Sequence, residues 1–414
     1  MDFKQAMNNI QSEFQQFLRK SKDTKNLIST SEFETVPTGI EPLDFILGGG
    51  VALGSIMMIT GRAGSGKSSL AGRILGSLIR HTNGKCIADY IDIENGITSE
   101  RLEKLGAPGI VPKSAWTLEM FNKYIESLVA FKEENNMKDL PVMIVFDSLA
   151  ASVTEKELKA EDPKEVIGFK ARTISLIINK ALKIFPEYNI TLILINQLRD
   201  NLSVSMMPTA SAVRGLKQGE SLPGGKAVLF AVNQLVYLND NGKIDDAFGF
   251  EGKTITAHCI KNRLFNPMIP VKLSFSYSAG YSNFWSIVLL LRETKYLVSA
   301  GGWWKLKYYD GKFRAKEMVE LYVNNSNFRD AMTKCMEEYK QSIKEKLESD
   351  YYRANPDMFI EKSLKEPEEE IDINKQVEDE TEISNTLVEP PIKPVTTPGK
   401  VEIKNDSKDN NLVI

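Results

Sequence analysis

Cysteine and histidine are scarce in this 414-residue chain, where Cys86, Cys259 and Cys335 lie far apart and His81 and His258 are the two imidazoles. With no C-x-x-C pair, a Cys/His zinc site is nearly excluded, and the odd thiol count suits a reducing, cytoplasmic compartment. Long apolar runs are missing too. The longest, Trp285 to Leu291, falls far short of the ~20 residues of a membrane helix. Met1 to Lys20 mixes polar and apolar residues and lacks the apolar core of a signal peptide, so no secretion and no membrane partner are expected. Aromatic residues, 9% of the chain, stop at Phe359. With Pro367, Pro390, Pro391, Pro394 and Pro398 in the same stretch, this end of the chain cannot build a core and is expected to be disordered. Positive charge is not in excess either: the net charge of −3 argues by itself against a nucleic-acid partner. The charge is uneven, however. Glu366 to Glu382 carries nine acids and one lysine, which leaves the body mildly basic and the tail acidic.

The length allows two or three domains and ample core. Near the start, Phe3, Ala6, Met7, Ile10, Phe14, Phe17 and Leu18 recur at helical spacing, which predicts an amphipathic helix packed on its own domain or on a neighbouring subunit. From Ser55 to Tyr277 short apolar runs alternate with helical patterns. The runs are Ile56 to Thr60, Cys86 to Ile91, Val142 to Phe146, Ile190 to Ile195, Gln234 to Leu238, Thr254 to Ile260 and Val271 to Tyr277. The helical patterns are Lys67 to Arg80, Leu118 to Glu134 and Val166 to Phe185. Buried strands separated by amphipathic helices predict an α/β fold with a largely parallel sheet, whose ligands bind at the carboxyl ends of the strands. After Tyr281 helices and a Gly301-Gly302-Trp303-Trp304 turn suggest a small lobe, with both tryptophans in its packing. The expected divisions are 1–34 (helix and linker), 35–280 (core), 281–360 (small lobe) and 361–414 (tail).

Gly61-Arg62-Ala63-Gly64-Ser65-Gly66-Lys67-Ser68 fits G-x-x-x-x-G-K-[ST] between a strand and a helix, the context that a phosphate loop requires. Backbone N–H groups at the helix start would cradle phosphate, Lys67 would reach the β- and γ-oxygens, and the Ser68 hydroxyl would ligate Mg²⁺. Asp147, closing the apolar strand from Val142, supplies the acid on the metal side. Asp92 and Glu94 lie two apart at the end of another strand and, if the strand continues, point to one side, where a carboxylate can orient an attacking water. Asn196 and Gln197 end a fourth strand, and an amide there can sense a γ-phosphate and relay its loss to the long polar stretch Leu198 to Leu222.

The order of these motifs resembles the RecA-type DNA strand-exchange recombinases. Thr35 to Gly39, Leu43 to Gly48, the phosphate loop, Tyr90 to Glu94, Asp147-Ser148, Asn196 to Arg199, Gly224-Gly225-Lys226-Ala227 and Lys261-Asn262-Arg263 follow in that family's order, over roughly Asn9 to Leu347. Gly96-Ile97-Thr98 is more like the branch encoded by large tailed phages. The resemblance implies a RecA-like P-loop ATPase core, with ATP and Mg²⁺ as cofactors. Glu94, Lys67 and Gln197 would be catalytic, and nucleotide would be held by the phosphate loop, Ser69 and Arg101. Lys261 and Arg263 would reach the ATP of an adjacent subunit, with Phe230 in the same interface. DNA would be bound by Arg172, near a first loop at Thr154 to Gly168, and by Arg199, Arg214, Lys217, Gly224, Gly225 and Lys226 around a second loop. The implied partners are single-stranded DNA, a homologous duplex, further copies in a helical filament, and single-strand-binding and loader proteins.

The sequence departs from the family pattern at three places. Arg101 replaces a tyrosine stacked on adenine, Met206 and Met207 replace a phenylalanine, and Lys226 replaces an asparagine. The first loop is acidic, with Glu155, Glu157, Glu161, Asp162 and Glu165, so backbone N–H groups would have to meet DNA there. Two other readings share the core: a ring helicase, and a regulatory filament that scarcely turns over ATP. The long stretch after Gln197 and the Lys261/Arg263 pair speak against the first, and Glu94 against the second.

Overall fold

The apolar runs become strands in a computed structural model that describes residues 33–114, 116–161, 168–200, 220–221, 225–245, 249–265 and 269–355, together with Gln5 and Ser12. The N-terminal apolar stripe and the acidic, proline-rich tail lie outside these residues. In chain order the strands are β1 (Thr35–Val36), β2 (Val51–Ala52), β3 (Ile56–Gly61), β4 (Ile87–Asp92), β5 (Val142–Asp147), β6 (Ile190–Gln197) and β7 (Arg199–Asp200). They continue as β8 (Glu220–Ser221), β9 (Gln234–Lys243), β10 (Gly252–Asn262), β11 (Val271–Ser276), β12 (Gly280–Ser282), β13 (Leu297–Ala300) and β14 (Trp303–Leu306). Eight of them form one sheet in the order β12-β11-β10-β9-β3-β6-β5-β4.

Side-chain alternation along the central strands explains why helices cover both faces. Met57, Ile59, Met143, Val145, Ile193 and Ile195 meet Leu70, Ile74, Leu75 and Leu78 of the helix Lys67–His81. Their neighbours Ile56, Met58, Ile144, Phe146, Leu192 and Leu194 point the other way. There they meet Leu118, Phe121, Ile125 and Leu128 of Leu118–Glu134, and Ile174, Ile177 and Ile178 of Phe169–Glu187. Each such side chain contributes about 1.5–3 kcal/mol when fully buried, so both layers are held to the sheet along their length.

The sheet is parallel from β4 through β5, β6 and β3 to β9, and antiparallel from β9 through β10 and β11 to β12. A largely parallel sheet is therefore present, but its second half is a meander. The reason is connection length: a parallel crossover needs a dozen or more residues, and those joining β9 to β10, β10 to β11 and β11 to β12 are shorter.

The compact unit that holds the sheet runs to Glu348, and Ser349–Ile414 groups separately. Trp285, Trp304, Phe313, Phe328 and Tyr339, expected in a small lobe, share the apolar cluster under the sheet. Gly301-Gly302 joins the hairpin of β13 and β14, where Trp304 is buried and Trp303 is exposed with the Arg314 guanidinium stacked on its ring. Among the described residues, no helix is long and apolar enough to cross a membrane.

Candidate active site

Strand register gathers the chemistry at one edge. Gly61 pairs with Gln197, Asp147 with Ile195, and Asp92 with Asp147, so the carboxyl ends of β3, β6, β5 and β4 stand side by side. Neighbouring strands are about 4.8 Å apart, so groups more than a hundred residues apart in sequence come within bonding reach.

The phosphate loop leaves β3 with Arg62, Ala63 and Gly64 exposed at its crest, while Ser65 and Lys67 turn inward. Gly66 caps the following helix at φ +82°, and a Cβ there would lie 2.5 Å from the Tyr281 hydroxyl, so both the turn and the close approach need glycine. The Tyr281 hydroxyl in turn donates to the Ser65 carbonyl at 3.2 Å. Lys67 is buried and donates to the Arg62 carbonyl at 2.8 Å. Burial lowers its pKa, opposed by the nearby Asp147 and Glu94 charges. Ser69 lies on the first turn of the same helix.

Ser68 Oγ donates to Asp147 Oδ2 at 2.6 Å and the Tyr90 hydroxyl donates to the same oxygen at 2.7 Å. Burial raises the Asp147 carboxyl, and the bonds from Ser68 and Tyr90 oppose that rise. A hydroxyl and a carboxylate oxygen in contact are hard donors of the kind Mg²⁺ takes, since that ion keeps water and phosphate oxygens for its other positions. Among the described residues no group of three or more His, Cys, Asp or Glu could cage a metal alone. The donor set therefore fits an ion shared with phosphate.

Glu94 lies just beyond β4, and its carboxylate accepts from the Ser148 hydroxyl and from Gln197 Nε2 at 2.8 and 3.0 Å. Its neighbour Asp92 is turned elsewhere: it is buried and accepts the Ile97 N–H at 2.9 Å, fixing the turn after β4. The expectation that both acids face one site thus holds for Glu94 alone.

Arg101 reaches the Ser278 carbonyl between β11 and β12 at 2.6 Å. Lys261 donates to the carbonyls of Leu229 (2.6 Å) and Phe230 (3.1 Å), and Arg263 donates to that of Phe230 (2.7 Å). Two cations thus close the carbonyl end of the helix Gly225–Ala231, a favourable placement for positive charge. Burial and the Arg263 charge lower the Lys261 pKa. Phe230 is 70% exposed beside them. Lys261 pairs with Leu235 and Leu235 with Met58, so this group sits toward the amino end of β3, away from its own phosphate loop.

Arg172 is exposed on the helix Phe169–Glu187, after an acidic segment whose described part is the short helix Glu155–Lys159. Arg199 lies on β7, and Gly225 and Lys226 open the helix that carries Phe230. Arg214, Lys217 and Gly224 lie outside the described residues, as do Met206 and Met207.

Sequence reasoning placed Tyr90 and Ser148 in motifs without giving them a role, and missed Tyr281 and Lys253, whose ammonium bonds the Gly64 carbonyl at 2.5 Å. Tyr90 shares a strand face with Asp92 and Ser148 follows Asp147, so both were accessible to a face-by-face reading. Lys253 and Tyr281 carried no local signal.

The chain also matches known proteins over most of its length. Protein RecA of Clostridium tetani is 24% identical over 370 residues, covering 88% of this chain and 97% of the relative. Protein RecA of Leifsonia xyli is 27% identical over 317 residues (76% and 81%), and that of Aquifex aeolicus 25% over 300 residues (70% and 79%). The model of the RecA N-terminal domain matches residues 2–282, from the N-terminal segment through the sheet and all four strand ends of the site, and the chain belongs to that family.

Proposed function

We propose that this protein is a cytoplasmic, ATP-dependent recombinase that polymerises on single-stranded DNA and exchanges it into a homologous duplex. The observation that carries the reading is the position of Lys261, Arg263 and exposed Phe230: grouped on one surface, remote from their own phosphate loop. Cations so placed can serve a neighbour's nucleotide but not their own, which makes the active site a property of the interface. Gly96-Ile97-Thr98 supports a place near the phage-encoded branch, with single-strand-binding and loader proteins as further partners.

In this reading the phosphate-loop amides and Lys67 hold the β- and γ-phosphates, and Ser68 with Asp147 holds Mg²⁺. An ion held there would supply Lewis-acid charge withdrawal from the phosphate oxygens. Glu94, oriented by Ser148 and Gln197, takes a proton from the water that attacks the γ-phosphorus, while the bond to the ADP oxygen breaks. Lys261 and Arg263 of the adjacent copy offset the negative charge that develops. Gln197 bonds Glu94 and lies two residues before β7, so a change at the γ-phosphate reaches the second loop through it. Arg172, Arg199, Arg214, Lys217 and the Gly224-Gly225-Lys226 segment are the proposed DNA contacts. Electron microscopy of the protein with ATP and single-stranded DNA tests the reading: helical filaments are expected, and closed six-membered rings would favour the helicase instead.

A further inference from the structure

Lys253 stands at the start of β10, just before the register of β10 with β9 shifts between Lys253 and Ile255. An irregularity of that kind re-aims side chains, and here it directs Lys253 onto the crest of the phosphate loop. Its ammonium donates to the Gly64 carbonyl at 2.5 Å and to Asp240 Oδ2 at 2.7 Å. The Phe275 and Tyr277 rings each lie 5.9 Å away, and 13% of the side chain is exposed. Burial would raise the Asp240 carboxyl, but bonds from Lys253 and the Gly242 N–H outweigh it and hold the group below its usual range. The ion pair is therefore anchored at both ends.

The consequence falls on the peptide that links Gly64 to Ser65. Lys253 holds its carbonyl, and its N–H donates to the Arg62 carbonyl at 3.2 Å. Both polar atoms of one peptide are fixed at a glycine with φ +74°, where the backbone has the widest choice of conformations. We propose that Lys253 is a positioning residue for nucleotide binding: by gripping the Gly64 carbonyl it keeps the crest of the phosphate loop in the shape that receives a nucleoside triphosphate. This deepens the ATPase reading and rests on it. Binding to a loop already in shape costs no ordering, and that saving is lost with the ammonium.

The test compares Lys253→Met, which keeps the stem over the two rings and removes the charge, with Lys253→Arg, which restores a cation. Equilibrium binding of a fluorescent ATP analogue with Mg²⁺ is measured beside the melting temperature and hydrogen exchange of the nucleotide-free proteins. Lys253→Met should bind about tenfold more weakly, the scale of one hydrogen bond from a charged group, with KM rising and kcat unchanged. The Ser65 amide should exchange faster while the melting temperature stays that of the wild type, and Lys253→Arg should recover most of the affinity. Asp240→Asn, at a more exposed position, should weaken binding by about threefold and decides the matter should Lys253→Met not fold. Wild-type affinity in Lys253→Met, or in Asp240→Asn where the first variant is unfolded, overturns the inference and leaves the ATPase reading standing. Wild-type protein that binds no nucleotide removes both.

Discussion

Glu94→Gln keeps the side chain's shape and changes its acid–base character, so it isolates the proposed base. The carboxylate accepts three bonds, one from Ser148 and two from Gln197 Nε2. In the variant one oxygen becomes an NH₂ group that cannot accept, which removes about one bond and costs about 1 kcal/mol of local order. Loss of the base is the larger effect, about 10²- to 10⁴-fold in turnover, or roughly 3–5 kcal/mol of barrier. Nucleotide binding, which the proposed site assigns to Lys67, Ser68 and the loop amides, should not change. The assay is phosphate release at saturating ATP with single-stranded DNA, run beside equilibrium nucleotide binding. Ser148→Ala is the companion variant. It leaves the carboxylate in place on Gln197 and removes one orienting bond, so its turnover should fall by about tenfold at most. Turnover of Glu94→Gln within threefold of the wild type, or a loss no larger than that of Ser148→Ala, would refute general-base action by Glu94.

Two further outcomes are expected. A variant with Lys261→Ala and Arg263→Ala should bind nucleotide but not turn it over, and a Lys67→Ala variant should have a crippled phosphate loop beside intact cations. Mixed on single-stranded DNA, the two should regain ATPase activity with a maximum near equal amounts, and joint filaments inactive at every ratio would exclude catalysis across the interface. The second outcome concerns pH. Burial lifts the Asp44 carboxyl to about 6 against the opposing bonds from the Thr38 hydroxyl and N–H. A pKa raised on folding gives stability that is complete below pH ~4 and lost as pH rises through about 6, worth at most about 3 kcal/mol. Denaturant titrations should show that loss in the wild type and not in Asp44→Asn, and parallel pH profiles would count against it.

The parts of the site legible in the sequence are those fixed within a few residues. Gly61 to Ser68 carries its own context, and Asp147 and Gln197 end short apolar runs of the length that buried strands have. The antiparallel direction of β10 was not legible, because the apolar runs Gln234 to Leu238 and Thr254 to Ile260 leave room for a crossover that the full length of β9, to Lys243, removes. Asp92 and Glu94 show the limit of alternation: two residues apart, they diverge because the chain leaves β4 between them and Asp92 is drawn to the Ile97 N–H. Arg101 reaching Ser278 and Tyr281 reaching Ser65 depend on how β12 folds back over the loop, which no local pattern encodes. Lys253 depends on a shift in register, and a lysine at a strand start reads in sequence as a solvated end.

The antiparallel half of the sheet offers a structural reason for the proposed division of the active site between subunits. Every group at the carboxyl ends of the parallel strands faces one edge, which is how a parallel sheet concentrates a site. Strand β10 runs against them. Near its start Lys253 bonds the subunit's own phosphate loop, and near its end stand Lys261 and, just beyond, Arg263, toward the opposite edge. Lys253 and Lys261 are eight residues apart on that strand, and at ~3.4 Å per residue this separates their Cα atoms by about 27 Å, far beyond the reach of a lysine side chain. One strand thus tends the nucleotide loop of its own chain at one end and presents two cations, beside an exposed phenylalanine, at the other. In the proposed filament such a subunit would lend these cations to the phosphate cradle of the next copy, so that stacking head to tail would complete the site at every junction.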